Sequence, residues 1–431
     1  MLRSSLQVFL LSLCAVLFPK LAPAAPVDSA GVGAHSEMVS GQGAAALTNW
    51  QVALSSFQKA GAFIGQGKYP QAKMELSSSA TNLSAPYRTM AGDFLERLEA
   101  ALKQSSKEER VSQLRAFLEL SAELRAYPAA VQIMARLRKA APDEAEALDQ
   151  ALPWRLLESG EMKAALAKYE RKAADEHVEM WKSYYQKQID LIRRRPTNLA
   201  NVEFATEYVR EHYLTGYEEK SDAFSALKEL TRVLPHAKNA KETLAVYQFM
   251  IKNLVALDDE PGIEAWENKV LSEFKSDREA SAGVLLDRGL RAYTKKDFPG
   301  ALAIFRKVCS EYPDTLAYGD AQYDAGLALH DQQKYPEAIA EYDRLFLSQV
   351  NDAMTEASSS EDAKNYRYKA ALRISECYES QKDYPHALQY AELARDKYKF
   401  IGWCRICIES AKTQLDARIG KLEALAKPAT K

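Results

Sequence analysis

Cysteine, histidine and any surplus of one charge are scarce in this sequence. Its 431 residues hold 5 cysteines and 6 histidines, and 57 Lys and Arg stand against 59 Asp and Glu, a formal net charge of −2. Such a balance supplies no basic stripe for a nucleic-acid backbone, so no nucleic acid is expected as a partner. The one dense basic run, Arg193-Arg194-Arg195 before Pro196, reads as a helix C-terminal turn complementing the helix dipole. The histidines (His35, His177, His212, His236, His330, His386) are scattered without the close pairing of a zinc site. No glycine loop ends in the Lys-Ser/Thr that cradles a phosphate; Gly61, Gly65 and Gly67 read as a helix end and its turn. A serine nucleophile elbow is missing too. Carboxylate pairs such as Asp258-Asp259 are what a helical chain with 27% charged residues produces by chance. No catalytic residue, metal or cofactor is therefore expected. Beyond the N-terminus no apolar run is long enough for a membrane span. Alternating β-branched runs, the mark of strands, are absent as well. A hydrophobic content of 47% excludes wholesale disorder, and the length exceeds one ordinary core.

The first apolar run has its own meaning. Arg3 gives a basic start, Leu6 to Phe18 is apolar but short, and Ala22-Pro23-Ala24 puts small residues where a signal peptidase reads. A cleavable signal peptide over 1–24 is predicted, cut after Ala24 because a cut after Ala25 would leave Pro26 beside it. A periplasmic or secreted protein follows. Residues 25–46, rich in Gly, Ala and Ser without an apolar period, read as a flexible linker.

From Leu47 onward Leu, Ala, Glu, Lys, Gln and Arg dominate, and apolar residues return every three or four positions, which predicts helix. The serine runs Ser77 to Ser79 and Ser358 to Ser360 mark loops or helix ends. One punctuation recurs: Tyr69-Pro70-Gln71-Ala72, Tyr127-Pro128-Ala129-Ala130, Phe298-Pro299-Gly300-Ala301, Tyr335-Pro336-Glu337-Ala338 and Tyr384-Pro385-His386-Ala387. Each copy lies between apolar-periodic stretches, as the turn of a helical hairpin would. Around three copies the offsets also repeat: Gly289, Ala301, Phe305 and Pro313; Gly326, Ala338 and Tyr342; Ser375 and Ala387, with Ala391 at the aromatic offset and Ala394 beyond. Small residues let two helix backbones approach, the aromatic plugs the gap beside them, and proline stops the second helix.

This small, alanine, aromatic, proline pattern resembles the tetratricopeptide repeat, a helix-turn-helix unit of about 34 residues. The resemblance is carried by Ser281 to Lys397. The intervals between Ala301, Ala338 and Ala387 are longer, and the stretch from Asn351 to Asp362 accounts for the wider one. Upstream, Ala130 with Pro142 fits, as does Ala165 after Gly160 with Tyr169 beyond, although Pro153 stands where a small residue belongs. Ala200 with Phe204, and Ala265, suggest further hairpins. The resemblance implies an all-α, right-handed solenoid of helix-turn-helix hairpins with a C-terminal capping helix. Degenerate hairpins would fill 47–234, the array 235–400, and the capping helix and tail 401–431. The cap would carry Ile408, Leu415, Ile419, Leu422 and Leu425 on its apolar side.

The resemblance also places a peptide-binding groove on the first helix of each unit, at Leu290 and Tyr293, then Tyr323, Leu327 and His330, then Leu372, Glu376 and Glu379. Such residues suit capture of an extended peptide or a partner helix, while Tyr293 and Tyr323 packing between hairpins is the alternative. Trp403-Cys404-Arg405-Ile406-Cys407 has the cysteine spacing of a redox motif, without the preceding strand or intervening proline. Ile408 stands where haem attachment needs histidine. A bond from Cys377 to Cys404 or Cys407, a local Cys404–Cys407 bond, and free thiols all remain open, with Cys309 unpaired. The expectation is an exported, non-catalytic scaffold with a protein or peptide partner in the cell envelope. A cell-wall or carbohydrate binder, an enzyme within residues 47–230, and a redox protein are the alternatives.

Overall fold

The computed structural model describes residues 41–104, 109–214, 222–348, 366–398 and 405–427, and among them every regular element is helical. The chain divides into two compact units, Ala34–Glu273 and Phe274–Lys431.

In the C-terminal unit six helices form three hairpins: α13 (Arg278–Thr294) with α14 (Phe298–Glu311), α15 (Ala317–Asp331) with α16 (Tyr335–Leu347), and α17 (Tyr366–Ser380) with α18 (Tyr384–Asp396). Each helix packs on the next, and first helices also pack on first helices, α13 on α15 and α15 on α17. A last helix, α19 (Arg405–Ala426), lies on α18 and buries Leu415, Ile419 and Leu422 against Ala387, Ala391 and Ala394. This is the expected cap. Leu425, assigned to its apolar side, is exposed; the side chain of Ile408 lies outside the described residues.

The repeating turn explains the sequence punctuation. A left-handed residue ends the first helix, the next residue begins the second, and the aromatic and proline fill its first two positions. The left-handed positions are Gly67, Arg125, Lys296, Gln333 and Lys382, with φ between 57° and 74°. In each turn the following N–H donates to a carbonyl in the last turn of the first helix: Lys68 to Phe63 at 2.8 Å, Ala126 to Ser121 at 2.9 Å, Asp297 to Ala292 at 3.0 Å, Lys334 to Leu329 at 3.0 Å and Asp383 to Tyr378 at 2.9 Å. Proline is tolerated at its position because an N–H there would find no helical carbonyl. The motif alanine closes the turn. Its N–H makes an early bond of the second helix, Ala301 to Asp297 at 2.9 Å and Ala338 to Lys334 at 2.9 Å, and its methyl is fully buried in every copy.

The small-plus-aromatic offsets have the expected physical basis. A Cβ on Gly289 would stand 2.5 Å from the Phe305 ring, and one on Gly326 would stand 2.4 Å from the Tyr342 ring. In the third hairpin, where Ala391 replaces the aromatic, the Ser375 hydroxyl donates to the Ala387 carbonyl at 2.7 Å.

The N-terminal unit contains α1 (Gly41–Gly65), α2 (Tyr69–Asn82), α3 (Tyr87–Leu102), α4 (Glu109–Glu123), α5 (Tyr127–Ala140), α6 (Ala145–Glu158), α7 (Met162–Asp175), α8 (Glu179–Arg194), α9 (Val202–Tyr208), α10 (Ala223–Val233), α11 (Ala240–Ala256) and α12 (Glu260–Glu273). α1 begins within the stretch read as linker. Ser77 to Ser79 lie near the end of α2 rather than in a loop, the Ser79 hydroxyl bonding back to the Glu75 carbonyl at 2.9 Å. The same left-handed turn also joins α6 to α7 at Gly160 and α11 to α12 at Asp258. Pro153 is accommodated inside α6, and Ala165 is buried on α7. Ala200 is a correction: it sits exposed in a turn, and Ala205 on α9 is the alanine packed inside beside Phe204. Ala265 is half-buried on α12. Leu234–His236, where the array was expected to begin, is a 3-10 turn between α10 and α11, which pack on each other.

Unlike a simple series, this unit folds back on itself. α1 packs on α2, α3, α4 and α5, and also on α12. Close approach to the α4–α5 turn requires glycine, since a Cβ on Gly61 would lie 2.3 Å from that of Ala126. Buried polar bonds stitch distant helices together. The Tyr87 hydroxyl donates to Asp259 at 2.7 Å, so this carboxylate is structural; it also accepts from the Gly262 N–H at 3.1 Å. Tyr127 donates to Asp222, which pairs with Arg125 at 2.8 Å and caps α10 through Ser225 N–H at 3.1 Å.

Candidate functional site

Successive first helices of the C-terminal unit carry the residues read as a groove, and the packing sorts them into two groups. Tyr293, near the end of α13, is half-buried with its ring 5.4 Å from Phe298, and its hydroxyl donates to Asp331 at the end of α15. Burial and then that carboxylate push the Tyr293 hydroxyl above the usual tyrosine range, so it stays a neutral donor. Leu290 and Leu327 are half-buried on the same helices. His330 lies 3.3 Å from Asp331 and edge-on to Tyr335 at 5.5 Å.

Tyr323 goes deeper. Its ring lies 5.8 Å from Tyr342 and packs on the core formed by Leu329, Ala338, Tyr342 and Ile374. It nevertheless keeps a polar handle, because Arg373 on α17 donates to its hydroxyl at 3.0 Å. The Lys369 ammonium stands 5.7 Å from the centre of the same ring. Both readings of the tyrosines therefore have an example: Tyr323 packs between hairpins, whereas Tyr293 stands at the surface beside a charge.

Leu372 packs towards the cap, against the cluster of Ala387, Ala391 and Leu415. Glu376 and Glu379 are engaged within the chain. Glu376 accepts from Arg373 at 2.7 Å and from Arg418 of α19 at 3.1 Å; Glu379 accepts from Arg418 at 3.0 Å and Lys421 at 2.9 Å. These carboxylates hold the capping helix across its polar side. The row along the first helices is thus Tyr293 with Asp331 at the surface, then Arg373 and Lys369 over the half-buried Tyr323. Asp331, Lys369 and Arg373 were missed by the sequence reading. Arg373 adjoins Leu372, the position carried by the resemblance, and only the packed register of α17 distinguishes the two.

The cysteines offer little chemistry where they are described. Cys377 is buried on α17 with a free thiol, pushed up to about 12 by burial and then by the Glu376 charge. Cys309 is half-buried and likewise free, its thiol pushed up to about 12 chiefly by burial. With Cys377 free, its bond to Cys404 or Cys407 is not formed; Cys404 and the side chain of Cys407 lie outside the described residues, and so does a local bond between them. Among the described residues no group of three or more His, Cys, Asp or Glu side chains could hold a metal ion, and no helix is long and apolar enough to cross a membrane.

The left-handed turn, the buried motif alanine and the small residue under an aromatic ring recur at the offsets of one known unit. In its fold the chain is a tetratricopeptide-type helical repeat protein. No family model matches the sequence, and no curated protein is similar to it. Among solved structures it is similar to the TPR2AB domain of yeast Sti1 in complex with pHSP90, with 16% identity over 73% of this chain and 99% of that one, and a TM-score of 0.26. It is also similar to the P58(IPK) TPR domain, with 13% identity over 79% of this chain and 99% of that one, and the same TM-score of 0.26.

Proposed function

We propose that this tetratricopeptide-type protein is an exported, non-catalytic scaffold that holds a protein or peptide partner in the cell envelope, on the first helices of its C-terminal unit. One observation carries the reading: a row of partly exposed aromatic and charged side chains, Tyr293 with Asp331 and Tyr323 with Arg373, runs across α13, α15 and α17. Tyrosine and arginine suit such a role because each offers a large contact area and a polar tip. Intramolecular bonds already hold these side chains in place, which lowers the entropy lost on binding. Export rests on the signal-like stretch 1–24.

The test is affinity capture from an envelope extract with the intact chain and two variants. Tyr293→Ala should lose the protein that wild type retains, and Lys307→Ala, an exposed position on α14, should keep it. Recovery of glycan with no protein would favour the wall-binding alternative and contradict this reading. Export is checked separately by N-terminal sequencing of the extracytoplasmic protein. A start at Ala25 is expected, and a chain retained in the cytosol with its leader intact overturns it.

A further inference from the structure

The N-terminal unit holds a half-open pocket of about 580 Å³ that the partner-binding role leaves unused. α1, the start of α5, the end of α6 and α10 line it, together with Arg195 and with Tyr213 on the π-helical turn Val209–Leu214. Its size falls in the ordinary range of small-molecule sites. Polar side chains stand along the wall, among them Gln58 from α1, Gln66 from the turn after it and Gln132 from α5.

Its charges do not cancel. Arg125 is matched by the buried Asp222 at 2.8 Å. Arg195 and Arg232 share a single buried carboxylate, Glu229, Arg195 at 3.2 Å. Glu158 accepts from the Tyr213 hydroxyl at 3.1 Å. Among the described residues the exposed Lys228 pairs with no carboxylate, and the buried Nε of Arg195, whose guanidinium lies 4.9 Å from the centre of the Tyr208 ring, has no hydrogen-bond acceptor. Against Asp222, Glu229 and Glu158 stand Arg125, Arg195, Arg232 and Lys228, a surplus of one positive charge that would draw an anion towards the pocket. Guanidinium groups fixed by their own ion pairs present donors without further loss of rotamer freedom.

We propose that this cavity binds a small anionic molecule bearing a carboxylate or phosphate, drawn in by Lys228 and held by Arg195 and Arg232. The polar lining would receive the remainder of the ligand. The full chain is titrated calorimetrically with inorganic phosphate and, separately, with citrate at constant ionic strength. Saturable binding of at least one anion is expected, about tenfold or more weaker in Lys228→Glu and unchanged in Lys307→Glu. Saturation by phosphate alone or citrate alone assigns the anionic group. No saturable heat with either probe, or an equal affinity in Lys228→Glu whose helical circular dichroism is intact, overturns the proposal. Lys228 is on the surface, so loss of fold in that variant is not expected, and Lys228→Gln provides a milder second test with the same direction.

Discussion

At Gly326 a hydrogen atom is all the space allows. The Tyr342 ring, wholly buried, sits where a side chain would begin, and a Cβ would meet it at 2.4 Å. Gly283, on the preceding first helix, has nothing within 4 Å of its missing Cβ. The two glycines should therefore respond oppositely to alanine. Gly326→Ala gains helix propensity but overpacks a core, for a net loss of about 1–2 kcal/mol. Gly283→Ala keeps only the propensity gain, up to about 1 kcal/mol. Urea unfolding of both variants checks the pair, and equal signs would contradict the packing described. Gly326 with Tyr342 was legible in the sequence because the offset repeats at Gly289 and Phe305. Asp331 and Arg373 were not, since neither charge recurs at its offset in the other hairpins.

At the scale of elements, the aromatic-proline punctuation announced each hairpin, while the residue that makes the turn stayed hidden. Left-handed backbone is natural for Gly67 and Gly160, but Arg125, Asp258, Lys296, Gln333 and Lys382 adopt it without glycine. Aspartate visits this region more readily than most residues, but nothing in arginine, lysine or glutamine gives the conformation away; there it is imposed by packing of the two helices the turn joins. Lys296, exposed with φ 62°, carries that strain most plainly. Lys296→Gly should raise stability by about 0.5–1 kcal/mol, read as a higher melting temperature. A fall would mean that the Lys296 side chain contributes more than its backbone costs. The capping helix was equally legible from its apolar period. Its polar bonds were not: Glu376 and Glu379 were read as groove residues and instead receive Arg418 and Lys421. A carboxylate on a first helix serves a partner or a neighbour equally well, and only the docked helix decides between them.

On the scale of the whole molecule, sequence periodicity speaks to neighbours and is silent on distant contacts. The N-terminal unit is closed by pairs far apart in the chain, Tyr87 with Asp259, Tyr127 and Arg125 with Asp222, and Arg195 with Glu229. The pairs of Arg125 and Tyr127 with Asp222, and of Arg195 with Glu229, gather residues of the cavity lining, so the cavity could not have been read from spacing. One of them, Arg195 with Glu229, also makes the unit sensitive to acid. Hydrogen bonds from Arg232 and the charge of Arg195 hold the Glu229 carboxyl below its ordinary value of 4.5 despite its burial. A depressed folded pKa means the stability is present above the ordinary value and is lost as pH falls through the lower folded one. Wild type should therefore lose stability steeply below about pH 4.5. Glu229→Gln should be weaker at pH 7, by about 3–5 kcal/mol, because two guanidiniums lose their anion. Its urea midpoint should then fall less on acidification, and a midpoint as pH-dependent as wild type's would remove Glu229 from this role.

The central functional claim is that a partner lies along α13, α15 and α17, and site-specific photo-crosslinking in the native envelope tests it most directly. A photoreactive residue at Tyr293 should yield one discrete protein adduct, while the same residue at Lys307 on α14 should yield none. Adducts at Lys307 with none at Tyr293, or the same diffuse adducts at both positions, would contradict the account.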